Sequence, residues 1–84
     1  MHTLHEIRDM IQKGAPSSSD EARELTSDAI QVAASPAEFE GRLAGALMEI
    51  VVNREFHEDT FTARAAALAI VDELANARRR GDDR

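Results

Sequence analysis

Histidines and carboxylates are the residues of this 84-residue chain best suited to chemistry, and they fall in two short groups. His2, His5 and Glu6 crowd the N-terminus, and His57, Glu58 and Asp59 are consecutive. Imidazole and carboxylate together ligate zinc and similar ions, but such a centre needs three or four converging donors. Neither spacing compels that convergence. An exposed terminus and a polar turn account for both groups, so no metal and no organic cofactor is expected. No serine or threonine stands in a recognisable activating context, so nothing points to a nucleophilic triad. Cysteine is absent, which excludes disulfides and thiolate metal sites. The chain reads as a binding protein and not as an enzyme.

A second set of charged residues suggests contact with another molecule. Asp20, Glu21, Glu24 and Asp28 form an acidic stripe along one side of a helix, a candidate docking surface for a basic protein partner. Glu24 and Asp28 are a like-charged pair four residues apart, which costs the helix a little. The plainer reading is a solvated face that aids solubility.

The overall balance is also acidic, with 16 Asp plus Glu against 10 Lys plus Arg and a net charge of −6. Nucleic acid repels such a surface unless its cations are strongly segregated. All three aromatic residues are Phe, which leaves no Trp or Tyr platform for stacking bases or sugars.

The alternative is a dimeric nucleic-acid-binding regulator with a helix-turn-helix-like unit at 29–47. Within it, Val32-Ala33-Ala34-Ser35-Pro36-Ala37-Glu38-Phe39 resembles a helix, a tight turn and a capped helix. Against that reading, the turn lacks glycine, and the would-be reading helix offers Glu38 and Glu40 with Arg42 as its only cation.

The elements that must carry these groups are helices. Leu4, Ile7, Met10 and Ile11 recur at helical spacing, and Gly14 with Pro16 ends that segment near Lys13. Ser18 and Glu21 have capping-box spacing ahead of a helix from about Asp20 to Ala34, with Ala22, Leu25, Ala29, Val32 and Ala33 on its apolar side. Ser35-Pro36-Ala37-Glu38 predicts a sharp start for a third helix, running to about Asn53. A turn through Asp59, with Asp59 or Thr60 as cap, leads to a fourth helix from about Thr60 to Arg79. Its main face is Ala63, Ala66, Ala67, Ile70, Val71 and Leu74, and Arg78, Arg79 and Arg80 complement its negative end. The expected fold is all-α: a small four-helix bundle over residues 1–80, helices three and four forming a central antiparallel hairpin. Residues 81–84 are expected to be a disordered tail.

The last two helices carry more apolar surface than one face needs. Helix three has a bulky face (Phe39, Leu43, Leu47, Ile50) and a small one (Gly41, Gly45, Met48, Val52). Helix four adds a second strip of Phe61, Leu68 and Ala75. A chain this short buries a limited share of its surface, so these seven residues (Gly41, Gly45, Met48, Val52, Phe61, Leu68 and Ala75) are the expected self-association surface of a homodimer. Gly41 and Gly45 are four apart, a spacing that lets two helix backbones approach closely, either inside the hairpin or between copies. No apolar run reaches the ~18–20 residues of a membrane span, and no signal-peptide pattern opens the chain. The sequence therefore reads as a cytoplasmic protein–protein interaction module (an adaptor, regulator or inhibitor) that associates with itself.

Overall fold

The structure is a computed structural model that describes residues 2–33 and 37–82, with side chains omitted at 33, 37–38 and 78–82. Four helices follow in order: α1 (Leu4–Gln12), α2 (Ser19–Ala33), α3 (Ala37–Glu55) and α4 (Phe61–Asp82). They form the expected small all-α bundle. The expected Ser35–Glu38 cap and the Arg78–Arg80 side chains lie outside the described residues. α4 continues to Asp82, past the end expected near Arg79, so Gly81 and Asp82 belong to the helix.

The caps explain where the helices begin. Thr3 and Glu6 form a reciprocal capping box at α1: the Glu6 amide donates to Thr3 Oγ1 at 3.1 Å and the Thr3 amide to Glu6 Oε1 at 3.1 Å. These bonds, first that from the Thr3 amide, hold the Glu6 carboxyl below its ordinary pKa. At α2 only half of the expected box forms. The Glu21 amide donates to Ser18 Oγ at 3.2 Å, but the Glu21 carboxylate accepts from Ser17 Oγ instead of reaching back to Ser18. At α4, Asp59 takes the Phe61 amide at 2.8 Å.

Two helices end in the same hydrogen-bonded motif. After α1, the Ala15 amide donates to Met10 O and the Gly14 amide to Ile11 O, with Gly14 at φ +112°. After α3, the Glu58 amide donates to Asn53 O and the His57 amide to Arg54 O, with His57 at φ +57°. Both are Schellman closures. The first uses the glycine such a position favours, and the second uses a histidine.

The core is one cluster drawn from all four helices: Leu4, Ile7 and Ile11; Ala22, Leu25 and Ala29; Leu43, Ala46, Leu47, Ile50 and Val51; Ala63, Ala67, Ile70, Val71 and Leu74. α3 packs against α4 as an antiparallel hairpin and also against α2, while α1 rests on α4 and α2. Thr26 is buried on α2's inner side, its hydroxyl satisfied by donating to Ala22 O at 2.8 Å. Ala66, expected on the main face of α4, is exposed. It lies at the edge of the sector centred on Ala63, Ala67, Ile70 and Leu74, and as a lone methyl it loses little there.

Candidate functional site

The bulky and small faces of α3 part company in the fold. Leu43, Leu47 and Ile50 are fully buried, and Phe39 packs against the core. Gly41, Gly45, Met48 and Val52 face outward. At ~100° per residue these four positions fall within a sector of about 60°, so they form one straight stripe. Met48 is 36% exposed and Val52 42%, and Phe56, just beyond in the turn, is 70% exposed. No charged residue interrupts the stripe. Arg42 and Glu49 flank it toward α4, and Glu40, Ala44 and Glu55 flank it toward α2.

The two glycines have no role in the internal packing. A Cβ built on Gly41 or Gly45 meets nothing within 4 Å, so the α3–α4 hairpin does not use them for close approach. The small residues at that interface are instead Ala46, Ala63 and Ala67. Each helical glycine costs roughly 0.5–1 kcal/mol relative to alanine. α3 therefore gives up about 1–2 kcal/mol at two positions with no return inside the chain.

The second strip of α4 divides differently. Leu68 and Ala75 are half-buried and pack against the core. Only Phe61 stays open, at 69% exposure. It borders a shallow cavity lined also by Gln12, Arg64, Ala65 and Leu68. A second groove lies between α2 and α3, where Ala22, Thr26, Ala44 and Met48 supply the floor and Arg23, Ser27 and Glu40 the polar rim. Met48 thus belongs both to the stripe and to this groove.

The acidic residues of α2 are partly neutralised within the chain. Asp20 pairs with Arg23 at 3.1 Å and Glu21 accepts from Ser17. Asp28 accepts both the His2 ring Nδ1, at 2.9 Å, and the His2 amide, at 3.2 Å. The His2 side-chain hydrogen bond is the main reason that the Asp28 carboxyl sits below its ordinary pKa, against an opposing effect of partial burial. Among the described residues, no ion pair involves Glu24. His2, Glu24 and Asp28 bring their ligand-type atoms within 4.8 Å of one another, a grouping that the sequence positions, 22 and 26 residues apart, did not suggest. His5 and Glu6 are not part of it, and the His57–Asp59 turn supplies nothing to it. Three donors fall short of the four of a closed structural zinc site, and hydrogen bonding between α2 and the segment before α1 accounts for their meeting.

Two further contacts bear on these surfaces. Arg42 pairs with Glu73 of α4 at 3.0 Å and lies over the Phe39 ring at 5.4 Å. The cation of the would-be reading helix is thus engaged on the hairpin, while the turn of that unit lies outside the described residues. Arg54, near the end of α3, donates to the Gly14 carbonyl at the end of α1, whose own last turn has no basic residue. No described helix is long and apolar enough to cross a membrane. No family model, characterised protein or solved structure matches this chain.

Proposed function

We propose that this chain is a protein-interaction module that works as a self-associating unit, and that the outer face of α3 is the surface on which it associates. One observation carries the reading. Gly41 and Gly45 are exposed, internally unneeded, and aligned with exposed Met48 and Val52. Glycines of that kind are useful where a second helix comes close, and the neighbouring side chains are then the apolar surface it covers. Leu68 and Ala75 are already committed to the core and Phe61 lies apart, beside the cavity it shares with Gln12 of α1, so the surface narrows to Gly41, Gly45, Met48 and Val52, with Phe56 beyond its end. In this reading the role is binding and not catalysis. A further protein partner meets the associated form, and the net charge of −6 favours a basic one.

Light scattering or sedimentation at micromolar to tens-of-micromolar concentration tests the proposal directly. The wild-type chain is expected to exceed its monomer mass of 9.2 kDa. Gly45→Arg is expected to restore the monomer while keeping the fold, because the position is exposed, a Cβ there meets nothing within 4 Å, and a surface substitution away from packed features usually shifts stability by no more than about 0.5 kcal/mol. A wild-type protein that is monomeric throughout that range would overturn the reading.

A further inference from the structure

Resting on that reading, we infer that the occupant of the α3 stripe is the α3 stripe of a second copy, laid antiparallel about a two-fold axis that passes between Ala46 and Leu47. The stripe residues are separated by steps of four, three and four, a spacing that reads the same in both directions. Reversing one copy therefore sets Gly41 of one chain opposite Val52 of the other, and Gly45 opposite Met48. Each side chain that protrudes meets a position where the facing helix has none. Two-fold symmetry requires this self-complementarity, since the same patch serves both partners. A parallel, in-register pair would face glycine with glycine and Met48 with Met48, separating the backbones at one end and leaving a void at the other; close packing disfavours both.

The flanking charges divide in this arrangement. On the α2 flank Glu40 of one chain lies about 3 Å along the axis from Glu55 of the other, a like-charged and exposed pair, whereas the α4 flank pairs opposite signs. The register therefore rests on the fit of the stripe itself. Arg42 and Glu49 are exposed on the same flank of the stripe, toward α4. About a two-fold axis perpendicular to the helices, that flank meets its own copy. Arg42 of one chain then lies about 3 Å along the axis from Glu49 of the other, at ~1.5 Å per residue. The Arg42 guanidinium already pairs with Glu73, but its five donors leave room for a second carboxylate. Antiparallel helices also align their macrodipoles favourably.

Because the chain has no cysteine, introduced thiols report the register without interference. Gly41→Cys and Val52→Cys are made separately. Both positions are exposed, and Gly41 has open space for the new side chain; circular dichroism confirms that each variant keeps its helicity. In the antiparallel pair, two copies of either variant hold their thiols about 16 Å apart along the axis, eleven residues at ~1.5 Å each. A disulfide needs Cα atoms within roughly 7 Å. Under mild oxidation each variant alone is therefore expected to stay uncrosslinked, while an equimolar mixture gives the mixed disulfide as its main product. Disulfides formed by each variant on its own, or a mixture that yields no mixed product although the wild type is dimeric, would overturn the antiparallel register but leave self-association standing. A wild-type protein that is monomeric by mass would instead remove the reading on which the register rests.

Discussion

α1 and α3 end alike, yet they place their glycines in opposite ways. α1 ends at Gly14, whose φ of +112° is a conformation that side chains rarely adopt. α3 closes the same motif with His57 at φ +57° and keeps its own glycines in mid-helix, where the backbone makes no use of them. α1 is locally consistent: cap, apolar face and terminal glycine all favour the structure it adopts. α3 contradicts local preference at three positions. Departures of this kind concentrate where a chain serves something other than its own stability, and two of the three fall on the candidate surface.

Substitutions that separate these glycines have opposite signs. The largest expected effect is from Gly41→Ala with Gly45→Ala, which should raise the unfolding free energy of the monomer by about 1–2 kcal/mol, read by urea denaturation at a concentration too low for association. The same pair should weaken self-association. If it destabilises the monomer, the glycines have an internal role and the contrast collapses. Gly14→Ala should act the other way, lowering stability by roughly 1–2 kcal/mol because it forces a Cβ into a positive-φ position. His57→Gly should stabilise by about 0.5–1 kcal/mol, seen as a higher melting temperature with unchanged self-association.

The smallest effect concerns the start of α1. The depressed pKa of Asp28 means that its link to His2 contributes stability above the ordinary aspartate range, and that this contribution is lost as pH falls below about 4 toward the folded-state value. Asp28→Asn should flatten that acid limb in a melting-temperature profile. An acid limb identical to that of the wild type would show that the link does not hold the N-terminal segment.

Much of this was legible in the residues. The faces of α1 and α2 followed from apolar spacing, and Gly14 with Pro16 marked the end of α1. The end of α3 was harder to read, because a histidine in the left-handed region carries no sequence signal. Thr26 is buried because its hydroxyl finds a carbonyl one turn back, which composition does not reveal. Leu68 and Ala75 looked surplus on a helical wheel, but the neighbouring helices reach far enough around α4 to cover them. The His2–Asp28 contact joins residues 26 apart, a tertiary meeting with no local trace. The Gly41–Gly45 spacing was visible from the start, but whether it served the hairpin or a second copy depended on what a Cβ there would touch.

The contact between Arg54 and the Gly14 carbonyl has a consequence for how the chain comes apart. α1 spans nine residues, fewer than the ~12–15 at which an isolated helix becomes even marginal in water. Its beginning is tied through His2 to α2, and its end is held by the guanidinium of α3. A segment clamped at both ends has no loose terminus from which to peel. α1 therefore opens when the bundle opens, and the shortest helix shares the cooperative unit of the longest.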